Sequence, residues 1–350
     1  MTAPAGALVF GEKLLIGLPF CRLFAFALAL GALVSAPARA DPLVDSLVAM
    51  RALDERVANI GHRLARSNLD LCHDRQWLPG FAVHDLSQYG GDYREAAIRA
   101  FGLGEGPAVL ALVAGGPAER DGLRRDDILL QLDGEPLPRS ATDRSGGSFD
   151  LAERIIEAVE AAFADGEAAV EVRRGGETLN LAIRGVRGCA TRFQLVPSRR
   201  LNALADGRYV QVTTAISEYV ADDEELAAVL AHEFAHNVLR HRARLDAQEV
   251  ARGFFGNFGR NARLIRTTET EADQLSVYLL ERAGFDPEAP VRFWSRFGRR
   301  GLNFLGSPTH PNWRRRIEMF QAEIAAIRQA RSQGRVPVPA FVQLPPASQN

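Results

Sequence analysis

Residues 229–238, VLAHEFAHNV, contain two histidines four positions apart and a glutamate directly after the first one. On a helix, four residues turn through about 400°, so His232 and His236 lie ~40° apart and their imidazoles can bind one metal ion. Glu233 points ~100° away from His232, where its carboxylate can reach a water molecule on that metal without filling a ligand position. The stretch therefore predicts a helical metal site with a general base beside it.

The surroundings of this stretch decide between a metal site and an ordinary buried helix. Asp222 and Glu225 form a capping pattern ahead of an apolar run, which predicts a helix from about residue 223 to residue 241. Apart from Glu233, the residues between and beside the histidines are uncharged, so this helix is expected to be buried, where unpaired imidazoles would be costly. Zinc satisfies both imidazoles. His241 lies ~140° round the helix from His236 and is excluded as a ligand.

A third protein ligand is expected on a second predicted helix, TTETEADQLSVYLLERAGF, residues 267–285. Zinc in a catalytic site takes three protein ligands and leaves one position for water. Glu269 and Asp273 share a face of this helix, so Glu269 can bind zinc while Asp273 accepts the outer N–H of a ligand histidine. The alternative ligand, Glu271, points ~200° from Glu269 and would place Leu275 at the accepting position. Glu269 is therefore preferred.

Composition narrows the function classes only slightly. The chain has 350 residues, of which 47% are hydrophobic and 24% charged, enough for two modest domains and a leader. The formal net charge of -1 gives no reason to expect nucleic acid as a partner. The motifs therefore carry the functional interpretation.

The first 40 residues are typical of an export signal. Basic residues precede an apolar run over residues 23–34, and Ala38 and Ala40 supply the small residues that signal peptidase accepts. Cleavage is predicted after Ala40, which gives a periplasmic or secreted protein. The alternative is an uncleaved segment that anchors the chain in the inner membrane, the one case in which a membrane partner is expected.

Two cysteines remain once the leader is removed, Cys72 and Cys189. An even number of cysteines in an oxidising compartment favours a disulfide. The alternative is a pair of buried free thiols.

The stretch GGPAERDGLRRDDILLQLDGEPL, residues 115–137, resembles the PDZ domains attached to bacterial periplasmic proteases. The resemblance implies a small β-barrel-like unit with a groove between a strand and a later helix, where a chain end or an extended segment adds as a strand. Residues 101–110, FGLGEGPAVL, are the candidate carboxylate loop, because glycine lets the backbone approach an anion closely. Gly102, Leu103 and Gly104 would hold the carboxylate, unless these glycines only mark a turn.

The region around the two histidines resembles a known enzyme family. The resemblance is carried by LNALADGRYVQVTTAISEYVADDEELAAVLAHEFAHNVLRH (201–241), ETEADQLSVYLLERAGFDP (269–287) and SPTHPNWRRRI (307–317). HExxH followed by ExxxD is the gluzincin arrangement. The whole pattern looks like the HtpX, Oma and CAAX prenyl protease family of zinc metallopeptidases, most of all its soluble periplasmic, BepA-like branch. The resemblance implies one Zn²⁺ per chain, with Glu269 as ligand and Asp273 as orienting acid.

Two further residues enter through this resemblance. His310 corresponds to a family histidine on a loop near the metal, where it would stabilise an oxyanion or occupy the open zinc position and keep the enzyme inactive. The alternative is a surface loop histidine. Arg316 matches a family arginine with a transition-state or structural role, although its neighbours Arg314 and Arg315 would equally suit a solvated helix face.

The expected fold class is α+β. A mostly helical gluzincin-type metallopeptidase domain with a small edge sheet follows a PDZ-like β-barrel domain. Helical spacing of apolar residues over 43–66 and the prolines near the C-terminal end mark the outer segments. The expected boundaries are a signal peptide at 1–40, an N-terminal helical segment at 41–87, the PDZ-like domain at 88–190, the zinc metallopeptidase domain at 191–328 and a proline-rich tail at 329–350.

These features predict a zinc metalloendopeptidase that hydrolyses envelope or misfolded proteins, with the PDZ domain recognising protein or peptide substrates by their chain ends. Glu233 would take a proton from water and pass it to the leaving amine. The strand around residues 208–213 is expected to pair with the substrate backbone. The alternative is a PDZ-based protein-binding or quality-control factor whose metal site is latent because His310 fills the fourth position.

Overall fold

The computed structural model describes residues 41–139, 147–250, 259–299 and 312–342. The predicted signal peptide and His310 lie outside these ranges. In the described part, helices occur together with mainly antiparallel sheets, and the α+β fold class is confirmed. No helix of this part is long and apolar enough to cross a membrane.

The described elements are numbered in chain order. The helices are α1 (Pro42–Ser67), α2 (Asp92–Phe101), α3 (Pro117–Arg120), α4 (Asp150–Ala162), α5 (Thr214–Tyr219), α6 (Asp223–Val238), α7 (His241–Ala247), α8 (Gly259–Arg282), α9 (Ala289–Arg299) and α10 (Trp313–Ser332). The strands are β1 (Arg75–Leu78), β2 (Phe81–His84), β3 (Ala108–Leu112), β4 (Ile128–Leu132), β5 (Glu135–Pro136), β6 (Glu167–Arg174), β7 (Glu177–Arg184), β8 (Val186–Cys189), β9 (Arg192–Val196), β10 (Ala203–Ala205) and β11 (Tyr209–Thr213).

Helix α1 packs against both halves of the chain. Asp41 caps its N-terminus by accepting a hydrogen bond from the backbone N–H of Leu43 at 3.0 Å, and Pro42 fits the first turn, where its missing N–H is not needed. The helix contacts α2 and β3 on one side and α6 and β9 on the other. It therefore joins the PDZ-like part to the part that carries the two histidines. Its buried apolar residues include Leu47, Val57, Ile60 and Leu64.

The PDZ-like part is an open sheet with helix α4 against it. Its strand order is β2-β3-β4-β6-β7, and β5 pairs with β4. Among the described strands, β2 and β7 each have one partner, so the sheet does not close into the barrel expected from the sequence. Gly80, directly before β2, has φ of +82°, and a Cβ there would lie 2.8 Å from Pro117, so the approach requires glycine. The core of this part includes Val109, Leu129, Ile155, Val170 and Ile183.

The second part combines a three-stranded sheet with a cluster of helices. The strand order is β10-β11-β9, with β9 parallel and β10 antiparallel to β11. Helix α6 packs on this sheet and on helices α8 and α9. Leu226, Leu230 and Phe234 of α6 are 0% exposed, so the helix is buried as its apolar sequence predicts. This packing holds the histidine-bearing helix between a sheet edge and α8.

Helix α6 ends earlier than its sequence suggests. The predicted helix continued to residue 241, whereas α6 ends at Val238 and a new helix, α7, begins at His241. Arg240 between them has φ of +52°, a left-handed conformation that breaks the helix. The chain turns there, so His241 does not lie where a continuous helix would place it.

A disulfide joins Cys72 and Cys189, which are 117 residues apart in the sequence. Cys72 follows a single 3₁₀ turn at Leu69–Leu71, and Cys189 ends strand β8. Both cysteines are buried in the same hydrophobic cluster as α1 and α6. The bond therefore links the end of the N-terminal segment to the junction between the two parts.

Removing this disulfide is expected to lower the free energy of unfolding. Closure of a loop of this length restricts the unfolded chain, so the double variant Cys72→Ala with Cys189→Ala should lose about 3–5 kcal/mol. Urea unfolding of the variant and of oxidised and reduced wild type measures the loss. A variant as stable as the oxidised wild type would contradict the expectation.

Candidate metal centre

Three side chains from α6 and α8 converge on one point. The Nε2 atoms of His232 and His236 lie 3.4 Å apart. The Glu269 carboxylate lies 3.4 Å from Nε2 of His232 and 3.6 Å from Nε2 of His236. Four-coordinate zinc with bonds of about 2.0–2.1 Å needs neighbouring ligand atoms roughly 3.3–3.5 Å apart. The two Nε2 atoms and the Glu269 carboxylate lie close to that geometry, and these residues form the one group among those described that could hold a metal ion in this way.

Helix packing produces this convergence. His232 and His236 lie one turn apart on α6, and α8 runs alongside that helix. Ala231 and Ala235 on α6 and Ala272 on α8 are fully buried, and their small side chains allow the two helices to approach closely. The ligands therefore come from two packed, rigid helices.

His232 is oriented by a buried carboxylate. Its Nδ1 lies 2.9 Å from Oδ1 of Asp273, which is 0% exposed, so Nε2 is left to face the other ligands. Burial alone would lower the pKa of His232, but Asp273 raises it to about 10. Burial opposes ionisation of Asp273, whereas Arg316 and His232 hold the pKa of its carboxyl below the usual range. Asp273 is thus an ionised partner of His232.

Arg316 lies inside the protein. It is 1% exposed, donates a hydrogen bond from Nη2 to Asp273, and stacks 3.6 Å from the centre of the Trp294 ring. Arg314 and Arg315 on the same helix are exposed. Arg316 therefore differs from its neighbours, and its contact with Asp273 gives it a structural function.

His236 has a different outer partner. Its Nδ1 lies 2.9 Å from Nδ1 of His241, whose Nε2 lies 3.0 Å from the Glu271 carboxylate. Arg244 donates to the same carboxylate at 2.7 Å. Burial lowers the pKa of His236 to about 3 and also lowers that of His241. Burial acts against the ionised form of Glu271, but His241 and Arg244 hold its pKa at about 2.

Sequence reasoning missed this arrangement because it assumed a continuous helix. Neither glycine nor proline marks the break at Arg240, so the spacing of His236 and His241 carried no signal of their contact. Glu271 was considered only as an alternative ligand. Its alternation with Glu269 and Asp273 places it on the other side of α8, where it reaches α7.

Glu233 lies on the wall of a cleft beside the three ligands. The cleft is also lined by strand β10, by His241 and by Trp294 and Phe297 of α9. Glu233 is half-buried, and burial raises the pKa of its carboxyl to about 7 despite the opposing effect of His232. A carboxyl group at this place can exchange a proton with a molecule in the cleft.

The strand that borders this cleft differs from the one expected. Strand β11, predicted to pair with substrate, is central and hydrogen-bonded on both sides to β10 and β9, so its backbone has no free edge. Strand β10, Ala203–Ala205, has one partner among the described strands, and its residues line the cleft. The expectation for residues 208–213 is therefore wrong. Among the described strands of this sheet, β10 is the one that lies both at a sheet edge and beside the cleft.

The candidate carboxylate loop has a local role in the structure. Gly102 ends helix α2 with φ of +69°, and Leu103 is 1% exposed in a hydrophobic cluster with Phe101. Gly104 lies in the 3₁₀ turn that follows. The loop leads into β3 at Ala108, which pairs with His84 at the C-terminal end of β2.

A larger cleft lies between the two parts. It is lined by β2, by α4, by α1 and by β9, and its volume of about 1570 Å³ exceeds that of an ordinary small-molecule site. Strand β2 has one partner among the described strands, so an extended peptide has a strand edge available here. The cleft lies between a strand and a later helix, which is the position that the predicted peptide groove would occupy.

Ionic contacts connect helix α4 to the sheet beside the metal helix. Arg192 of β9 donates to Glu153 and Glu160 of α4, at 2.6 Å and 2.5 Å. Asn237, which follows His236, accepts a hydrogen bond from the backbone N–H of Gly207 at 2.9 Å, in the turn before β11. The wall of the larger cleft and the metal helix are thus both bonded to one small sheet.

The fold and this site indicate which class of protein the chain resembles. Two histidines from an HExxH helix and a glutamate from a second helix have the architecture of a gluzincin-type metallopeptidase centre. Residues 179–259 and 251–324 match the profile of peptidase family M48, and residues 109–145 match that of a PDZ domain. Residues 179–324 are therefore similar to peptidase family M48, and a segment that matches a PDZ domain precedes most of them.

Similarity to curated proteins covers the same region. The chain is 30% identical over 164 residues to the mitochondrial metalloendopeptidase OMA1 of Schizosaccharomyces pombe, covering 40% of this chain and 49% of that protein. It is 30% identical over 152 residues to the beta-barrel assembly-enhancing protease of Yersinia pestis, covering 34% and 31%. The Escherichia coli protein of that name is 31% identical over 130 residues, covering 29% and 27%. The chain spans half or less of the length of these relatives.

Proposed function

We propose that this protein is a zinc-dependent metalloendopeptidase with a PDZ domain that recognises its substrates. The observation that carries the proposal is the convergence of two Nε2 atoms, from His232 and His236, and the Glu269 carboxylate, at distances of 3.4–3.6 Å. Both histidines have their outer nitrogens in hydrogen-bond contact, which leaves Nε2 of each for the metal. In an ordinary buried helix, two histidines would not be expected to point both Nε2 atoms at one carboxylate.

In the proposed reaction, the metal and the side chains around it have separate roles. Zinc held by these ligands supplies a Lewis acid that polarises a carbonyl and activates water. Glu233, on the cleft wall, takes a proton from the attacking water and passes it to the leaving amine. Asp273 and Arg316 keep His232 in place during this exchange. His310 is proposed to act at the same centre, as an oxyanion partner or as an inhibitory fourth ligand.

Substrate is proposed to bind as an extended strand. Strand β10 lies beside the proposed metal ligands and at a sheet edge among the described strands, which supports pairing with a peptide backbone that carries the peptide bond past Glu233. The larger cleft along β2 and α4 supports capture of a second segment or a chain end by the PDZ domain. Two strand edges suit an unfolded polypeptide better than a compact protein, because a folded chain has few unpaired strands to offer.

The proposed substrates are envelope or misfolded proteins, and the proposed location is the periplasm. The leader sequence at residues 1–40 and the disulfide between Cys72 and Cys189 support an exported protein. Two relatives, from Yersinia pestis and Escherichia coli, are named as proteases that enhance beta-barrel assembly, which supports a role on envelope proteins.

Metal removal tests the proposal. Treatment with a strong chelator should abolish cleavage of unfolded casein, and one equivalent of Zn²⁺ should restore it, because Glu233 alone does not activate water sufficiently. Zinc content by atomic absorption and initial rates of casein cleavage measure both. Undiminished cleavage by zinc-free protein would contradict the proposal. Full zinc without cleavage would favour the alternative, a PDZ-based binding factor with a latent metal site.

A further inference from the structure

We infer that His241, Glu271 and Arg244 form a positioning relay that holds His236 in the tautomer required for metal binding. The relay is defined as these three residues and rests on the proposed zinc site. It extends beyond the ligand set, because neither His241 nor Glu271 is among the three converging donor residues.

With a metal on Nε2 of His236, the contacts allow one arrangement of protons. A neutral imidazole has one N–H and one lone pair, so His236 must carry its proton on Nδ1 if Nε2 faces a metal. That Nδ1 lies 2.9 Å from Nδ1 of His241, which must therefore accept and carry its own proton on Nε2. The His241 Nε2 lies 3.0 Å from the Glu271 carboxylate, which is an acceptor. The direction of both hydrogen bonds follows from Glu271.

Because His241 is buried, the loss of either of its hydrogen bonds would be costly. His241 is 1% exposed, so water does not readily replace its partners, and an unsatisfied nitrogen there would be costly. The Glu271 side chain is 21% exposed and Arg244 is 45% exposed. The relay thus runs from the buried metal helix to the surface and ends in an ion pair that holds the Glu271 carboxylate in place.

The two histidines are supported in different ways. His232 contacts a carboxylate directly, whereas His236 contacts one through a neutral imidazole. The groups that bond the outer nitrogens of ligand histidines typically change metal affinity by about 10- to 100-fold. Loss of His241 should therefore weaken zinc binding even though His241 does not touch the metal.

Zinc affinity of the full chain, measured by competition with a chromophoric chelator, tests the relay. His241→Leu removes the acceptor while keeping volume and should weaken zinc binding about 10- to 100-fold. His241→Asn keeps an acceptor oxygen near the Nδ1 position and should stay within about threefold of wild type. The control is His73→Leu, at an exposed histidine that contacts Asp74, which should leave zinc affinity unchanged.

Urea unfolding of the metal-free proteins shows which variants fold. If His241→Leu folds and binds zinc within twofold of wild type, the relay is overturned. If it does not fold, His241→Gln replaces it, because its polar end extends to the Nε2 position and zinc binding should weaken about tenfold. Equal affinity of the Asn and Gln variants would then overturn the relay. Failure of the wild type to bind zinc would instead refute the proposed metal site itself.

Discussion

The variant Glu233→Gln should retain one zinc ion per chain and cleave unfolded casein about 10²- to 10⁴-fold more slowly than wild type. Glutamine has nearly the same shape as glutamate but does not accept a proton, so the metal ligands stay in place while the base is lost. Glu233 lies on the cleft wall and is not one of the three converging donors, so its substitution leaves the ligand set intact. Zinc content and initial rates on the same sample separate the two effects.

A matched control is available on α10. Glu318 is exposed there, and Glu318→Gln makes the same chemical change away from the metal centre. It should cleave casein at the wild-type rate. If Glu233→Gln carries zinc and cleaves as fast as Glu318→Gln, another group removes the proton and the assigned mechanism is wrong.

Arg316→Met should lower the free energy of unfolding of the metal-free protein by about 3–5 kcal/mol. The substitution removes the guanidinium that donates to Asp273, and it leaves a carboxylate that is 0% exposed beside His232. Measuring the metal-free form excludes the contribution of zinc binding to stability. Urea unfolding gives the value.

Two comparisons test the cause of this loss. Arg315→Met, at an exposed position on the same helix, should change stability by less than about 0.5 kcal/mol. Asp273→Asn combined with Arg316→Met should recover part of the loss, since the buried carboxylate that Arg316 stabilises is then gone. Equal stability of the Arg315 and Arg316 variants would mean that the buried ion pair contributes nothing measurable.

Much of the metal centre could be predicted from local spacing. His232 and His236 are four apart on a helix, and Glu269 and Asp273 are four apart on another, so each pair shares a face whatever surrounds it. The structure brings the first three together and places Asp273 on the outer nitrogen of His232. Their roles in binding metal and in catalysis remain predictions that the variants above test.

The sequence by itself determined the faces on which the ligand residues lie, because these depend on periodicity within single elements. Its resemblance to known families indicated the fold class and the PDZ-like unit. Tertiary structure alone decided that Arg316 is buried against Asp273, that β10 rather than β11 lies at a sheet edge among the described strands, and that His241 turns back to His236. These outcomes depend on which helices and strands pack together. They also depend on Arg240, whose left-handed backbone conformation is not indicated by any local sequence pattern. Helical spacing shows which side chains share a face of a helix, whereas tertiary packing determines which residues that face contacts.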